Sequence, residues 1–473
     1  MVIFDQKATF NSLLFLIKSE PQYIIMADIF DIYPQKFYLF SVRNCRFLDM
    51  SSSDHRLDQA VEKAFSQIKC LEGGNIYAIY EYEERTLSIL QALSDKYKEQ
   101  YPKVQQLPAF FKTFKKGEKF IRQKNAVSLF DLKSSIVKVL ALSKDLDIHK
   151  AHEAFVQNWA RLYLSFQTYS FGFLPDKIYI GEVDKTKRKC RFCDNAGAKY
   201  FKNVSHAVQE SLGNHLLIAN EECDECNSLF SNSVEKQLFR FLETNRTLSQ
   251  VKGKGKSTYH QEGLNFHIHP DAVSGLPTIY VKQEHIYNVA YQGKPTGFIL
   301  LYNKGSITYQ GIYKALIKIA VDMIPQKYIH HFTKTGKWVH GDFEADNLPP
   351  FFYGEHTFFF EQPIIDIFFR NEKSPKYSPY CTVILYIYES VFIYTIPFND
   401  VDGKQYMTAA EVQSHFKYFK DNQYLYVKDW VEYDSNDTTE YAAHYKVSSI
   451  GVPGKYNIEY RPSNDPIFIN RKG

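Results

Sequence analysis

The sequence predicts an α+β protein of several domains. A central module stapled by a metal ion lies between an N-terminal α/β-plus-helical region and a C-terminal, strand-rich α+β region. Three observations lead there. Four of the seven cysteines fall into two Cys-x-x-Cys pairs, Cys190/Cys193 and Cys223/Cys226. The hydrophobic period differs on the two sides of those pairs, mixed before them and dominated by long aromatic strand-like runs after them. At 473 residues the chain exceeds what one hydrophobic core usually organises.

Residues 1–125 read as a small α/β region. "KFYLFSV" and "NIYAIYEY" carry the β-branched and aromatic character of strands, and "DQAVEKAFSQIK" repeats Ala60, Ala64, Phe65 and Ile68 at helical spacing. Residues 126–180 turn helical. "SSIVKVLAL" precedes "DIHKAHEAFVQNWARLYLSF", where Phe155, Trp159 and Leu162 share one face, so a helical connector is expected. Residues 181–250 hold the cysteine module, and "KGKGK" at 252–256 has the composition of a linker. Residues 257–473 combine strands such as "TVILYIYESVFIYTIPF", a hairpin signal at Asp402-Gly403 and one clear helix, "QGIYKALIKIAVDMI".

Composition narrows the function classes. A formal charge of +4 on a chain of 55.3 kDa leaves no bulk field for polyanions, so nucleic-acid binding needs a local patch. With 35 Tyr and 38 Phe against 22 Gly and 18 Pro, the chain can build packed cores, which excludes disordered and collagen-like classes. No internal repeat supports a solenoid. The start "MVIFDQKATF" lacks a basic segment followed by a long apolar one, and no run approaches the roughly 18 apolar residues of a membrane span. The expectation is a cytoplasmic protein with reduced thiols and no membrane partner.

In a reducing compartment, two Cys-x-x-Cys pairs with 29 residues between them match a four-thiolate zinc site, because each pair spans one edge of a tetrahedron. A redox dithiol would need a βαβ frame that this stretch lacks. A closed Cys₄ site leaves no position open for water, so Zn2+ here is structural, and any chemistry lies between the pairs.

The pieces between and around the pairs are "CRFC", "SHAV", "LGN" and "CDECN". In this order they resemble the zinc-containing branch of the HNH endonucleases, over about 60 residues of the chain. The resemblance implies a treble-clef, ββα-metal domain, a hairpin followed by a helix, that hydrolyses phosphodiester bonds in nucleic acid, with DNA the first expectation. It implies His206 as general base and Asn227, after the last cysteine, as ligand of a catalytic Mg2+ or Mn2+. An intervening Asn orients the base in the family, and both Asn214 and Asn220 qualify. The family usually has Asp, Glu or His before the catalytic His, also touching the metal; this chain has Ser205 there. The residues alone carry part of the case. A neutral imidazole is suited to take a proton near neutral pH, and a zinc-pinned hairpin holds it in place. His215 lies beyond the turn and is a lesser candidate.

Basic residues flank the module: Lys187, Arg188, Lys189 and Arg191 around the first pair, and Lys252 and Lys254 after the helix. They are the expected nucleic-acid contacts. The histidine pairs His267/His269 and His330/His331 receive no role. The flanking regions leave room for a protein partner or a homo-oligomer, as in bacterial defence nucleases against phage. The alternative from another class is a catalytically inactive zinc-stabilised module that binds nucleic acid or protein.

Overall fold

The computed structural model describes residues 38–462 except 42–45, 50–54, 74–76, 113, 124–132, 135–136, 139–140, 142–145, 173–176, 252–259, 264–265, 271–276, 282–286, 292–293, 302–304, 376, 403–407, 423–426 and 449–455. Lys252, Lys254 and Gly403 therefore lie outside the described residues, as does much of "SSIVKVLAL". The fold is mixed α+β with several small sheets, in two compact units, 1–160 and 161–473.

The first unit contains β1 (Tyr38–Ser41), β2 (Arg46–Asp49), α1 (His55–Phe65), β3 (Cys70–Gly73), β4 (Tyr77–Glu81), α2 (Glu84–Tyr97), α3 (Gln106–Phe111) and β5 (Lys119–Gln123). Its strands form one antiparallel sheet in the order β2-β1-β5-β4-β3. Leu57, Val61, Ala64 and Phe65 recur on one face of α1 and are buried with Tyr80 and Phe120 of the sheet. Arg122 is buried on β5, where its guanidinium pairs with Glu62 and lies 4.5 Å from the centre of the Phe65 ring. Helix α4 (Ile148–Ser165) follows, with Phe155 and Leu162 buried as their spacing predicts.

The second unit adds β6 (Phe166–Phe171), β7 (Ile178–Ile180), β8 (Ser205–His206), β9 (Leu217–Ala219), α5 (Asp224–Asn232), α6 (Val234–Leu248), β10 (Gln261–Glu262), β11 (Phe266–Pro270), β12 (Pro277–Val281), β13 (Tyr287–Tyr291) and β14 (Lys294–Leu301). It continues with α7 (Tyr309–Met323), α8 (Thr333–His340), β15 (Phe351–Arg370), β16 (Cys381–Thr395), α9 (Ala409–Asn422), β17 (Val427–Tyr433), β18 (Tyr441–Ser448) and β19 (Tyr456–Pro462). The long strands β15 and β16 pair antiparallel, with β17 and β6 also on β15. Two further sheets run β10-β11-β12 and β13-β14-β18-β19, and a small one runs β7-β9-β8.

The sequence reading expects a cysteine module bounded at 181 and 250. In the structure the core is continuous across that line: Phe192, Leu217 and Phe230 belong to one buried cluster with Ile312 and Leu316 of α7 and Val383 and Leu385 of β16. Helix α7 is capped by Thr308, whose hydroxyl accepts the Gly311 N–H at 2.9 Å, and is buried on nearly all sides. It anchors the cysteine module to the C-terminal sheets. Among the described residues no helix is long and apolar enough to cross a membrane.

One buried histidine on this scaffold predicts an acid response. His415 of α9 is wholly buried, sits 2.9 Å from the Thr382 hydroxyl through Nε2, and is pushed by burial down to about 3. The unfolded chain takes up a proton near the ordinary value of 6.5 while the folded one does not. The stability from the neutral imidazole is therefore fully present above pH 6.5 and lost progressively as pH falls towards 3. At pH 5 the expected loss from this group is about 2 kcal/mol. Urea titrations at pH 7 and 5 check it: His415→Gln should shrink the pH difference, and an unchanged difference refutes the assignment.

Candidate metal centre

The four cysteines converge. Cys190 and Cys193 sit on a knuckle between β7 and β8, and Cys223 and Cys226 open α5. Their sulfur atoms all lie within 4.8 Å of one another, with Cys190–Cys226 at 3.7 Å and Cys193–Cys223 at 3.6 Å. A tetrahedral zinc with bonds of about 2.3 Å sets its sulfurs about 3.8 Å apart, close to these two pair distances. Cys190, Cys223 and Cys226 are buried and Cys193 is half-buried.

Outer groups orient the sulfurs. Cys223 is the N-cap of α5, and its Sγ accepts the Cys226 N–H at 3.5 Å and the Asn195 Nδ2–H at 3.6 Å. Hydrogen bonds from Cys190 and Cys226 hold the Cys223 thiol far below the ordinary range, while the same crowding pushes Cys190 and Cys226 above it. A bound dication would relieve that competition by stabilising four thiolates together. Asp224 fastens the helix start to the chain ahead of β8 by accepting the Lys202 and Asn203 N–H groups at 3.0 and 2.9 Å.

The hairpin between the pairs is ordered by Asn214. Buried after a left-handed Gly213, it donates from Nδ2 to Val208 O and Leu217 O at 2.7 and 3.0 Å and accepts the Leu216 and Leu217 N–H groups at 3.0 and 2.9 Å. That is the full capacity of one side-chain amide used to close one loop. Asn220 is buried just past β9 and extends the ladder through its own N–H, which donates to Ile180 O at 2.9 Å. Of the two candidates, Asn214 is the one that shapes the loop leading back from His206. His215 donates its N–H to Gln362 Oε1 at 3.0 Å from the exposed side of the turn.

His206 is partly buried on β8, with Nδ1 3.6 Å from Glu210 Oε1. Ladder partners point to one side of a sheet, and His206 is paired with Ile218 while Ser205 is paired with Ala219. Ser205 thus faces away from the histidine, and its buried hydroxyl donates to Glu222 O at 3.3 Å. This corrects the expectation that Ser205 touches a catalytic ion: strand alternation turns it into the core. Asn227 lies in the first turn of α5, partly exposed, its N–H donating to Cys223 O at 2.9 Å. Among the described residues the four cysteines are the only group of three or more His, Cys, Asp or Glu with metal-ligand spacing. The hairpin therefore presents no ready carboxylate cluster for Mg2+ or Mn2+.

Two of the expected nucleic-acid contacts are corrected too. Arg188 is buried and donates to Glu182 O and Val183 O at 2.9 and 3.0 Å. Arg191 is buried against Glu221 at 3.0 Å and donates to Val321 O and Ile324 O at 2.7 Å each, which caps the end of α7. Both guanidiniums hold the knuckle to its neighbours and are turned away from solvent. Helix α8 presses on the same knuckle, so closely that a Cβ on Gly336 would stand 2.2 Å from Arg191 O. Lys187 and Lys189 are exposed, 3.6 Å from Asp184 and 3.7 Å from Asp194.

The residue that sequence reasoning missed is Lys318. Wholly buried in α7, its Nζ lies 2.9 Å from Glu222, 2.9 Å from Glu235 and 3.0 Å from Asp322, and donates to His206 O at 3.2 Å. Burial alone would pull this ammonium down, but the three carboxylates outweigh it and hold it well above its usual value. Burial also pushes Glu222 well above and Asp322 above the carboxylate range, against the pull of Lys318. The signal was present as a Lys and an Asp four apart in the apolar second half of this helix. No protein-family model, curated protein or solved structure matches the chain.

Proposed function

We propose that the chain is an HNH-type endonuclease that hydrolyses phosphodiester bonds in nucleic acid, with DNA the first substrate to test. The observation that carries this reading is an order in space as well as in sequence: cysteine knuckle, His206 on β8, a loop closed by Asn214, β9, then the second cysteine pair capping α5 with Asn227 in its first turn. Strand, strand and helix are held by one four-sulfur cluster beside the only histidine in either hairpin strand.

The chemistry follows from His206. The Glu210 carboxylate, 3.6 Å from Nδ1, favours a proton on that nitrogen and leaves Nε2 as the basic atom. Water gives its proton to Nε2 as its oxygen bonds to phosphorus. The bond from phosphorus to the leaving oxygen breaks, and that oxygen takes a proton from solvent. The Lys318 ammonium, donating to His206 O and Ala207 O, keeps β8 in place during this transfer. A divalent ion, with Asn227 as its protein ligand, would supply charge stabilisation at the phosphate.

Plasmid nicking in magnesium or manganese tests the reading. His206→Ala should lower the rate by about a hundredfold or more with zinc content and circular dichroism unchanged, and Asn227→Ala should raise the metal concentration needed. Equal nicking by the His206 variant, or none by wild type on any substrate or metal, would refute it. The second reading, an inactive zinc-stabilised nucleic-acid-binding module, is favoured by the inward turn of Ser205.

A further inference from the structure

We infer that Tyr179 is a stacking platform for a nucleobase beside His206, and that the site consequently takes single-stranded or unpaired nucleic acid in preference to a closed duplex. The inference rests on reading this site as one that handles nucleic acid, and it adds the substrate's form.

The small sheet dictates the geometry. Strand β7 pairs parallel with β9 and β8 pairs antiparallel with it, and the registers place Tyr179 opposite Ile218 and Ile218 opposite His206. Paired residues project to the same side, so Tyr179, Ile218 and His206 form one row across three strands, while Ile180, Ala219 and Ser205 form the row on the other face. With neighbouring strands about 4.8 Å apart, Tyr179 stands about 10 Å from His206 along that row.

Burial then separates the three. Ile218 is 3% exposed, and its neighbours Leu217 and Ala219 seat β9 in the main core, whereas Tyr179 is 56% exposed. Tyr179 is the one aromatic among the exposed large hydrophobics of the described residues, and Val183, Val204 and Leu229 place three more on the adjoining cysteine module. A tyrosine recruited for packing would be covered. One left in solvent on the face of a candidate base has the chemistry of a stacking surface, with a flat π-face and a hydroxyl that stays wet. Unpaired bases stack on such rings whatever their sequence, while bases inside a duplex already stack on one another and must be extruded to reach one. Exposed Lys177, two residues earlier, adds a cation for the phosphate backbone.

The test is fluorescence anisotropy with a labelled oligothymidine and with a duplex of the same length, on the full chain, zinc-loaded, without magnesium or manganese so that nothing turns over. Wild type should bind the single strand more tightly than the duplex. Tyr179→Ala should weaken single-strand binding by about tenfold or more, Tyr179→Phe should retain it, and duplex binding should hardly move. A single-strand affinity unchanged in Tyr179→Ala, a preference for duplex, or no binding by wild type overturns the inference. The two readings fail separately. Tyr179-dependent binding without any cleavage removes the nuclease and keeps the platform; cleavage with Tyr179-independent binding does the reverse.

Discussion

Cys223→Ser will strip the metal and take the fold of the module with it. Wild type should carry about one zinc per chain by elemental analysis, the content of a closed Cys₄ site. Cys223 belongs to the four-sulfur set and is also the cap on which α5 begins, and its neighbours Cys190 and Cys226 are buried in the continuous core with Phe192 and Phe230. Structural zinc contributes on the order of 10 kcal/mol or more at neutral pH, comparable to the whole stability of a domain. The variant should be insoluble or zinc-free, melting far below wild type. Cys70→Ser is the control, since Cys70 is exposed in the other unit. Zinc-free wild type, or a Cys223→Ser protein with unchanged melting, would show that the four sulfurs do not hold a structural ion.

Lys318→Met should destabilise the chain by about 3–5 kcal/mol, the scale for removing one partner of a buried ion pair. The methionine fills the volume but leaves Glu222, Glu235 and Asp322 facing one another without their cation, and β8 loses the ammonium that held the His206 carbonyl. The pH dependence has a definite sign. Without Lys318 the folded-state values of Glu222 and Asp322, raised already by burial, rise further. A carboxyl whose folded value lies above its unfolded one is stabilising while protonated, and that stability is lost as pH rises through the folded value. The deficit of Lys318→Met should accordingly be larger at pH 8 than at pH 5, and adding Glu222→Gln and Asp322→Asn should recover part of it. Chemical denaturation at both pH values measures this. A variant as stable as wild type at pH 8 would mean that the cluster is not held by its lysine.

Several features were legible without coordinates because they depend on residues close in sequence. The periodicity of 55–65 and 148–165 gave helices with Phe65, Phe155 and Leu162 buried, and the apolar run at 309–323 gave α7. A single helix expected after the second pair is two, α5 and α6, broken at Ser233. The basic run 187–191 was misread for a different reason. Its four basic residues look alike as a string, yet Lys187 and Lys189 project into solvent while Arg188 and Arg191 turn inward to carbonyls. Charge content shows that cations are present, not which of them a neighbouring helix end will desolvate.

Cysteine spacing alone pointed to the four-sulfur cluster. Four thiols at two-residue spacing can bite a tetrahedral dication whatever surrounds them, and the sulfur geometry follows from bond lengths that any fold must respect. The electrostatics around it came from distant packing: Arg191 caps a helix ending at Met323, Lys318 lies beneath His206, and Ser205 and His206 look in opposite directions. Those outcomes hang on partners more than a hundred residues away and on strand register, because the cost of burying a charge is set by the groups that replace its water, and no local pattern names them.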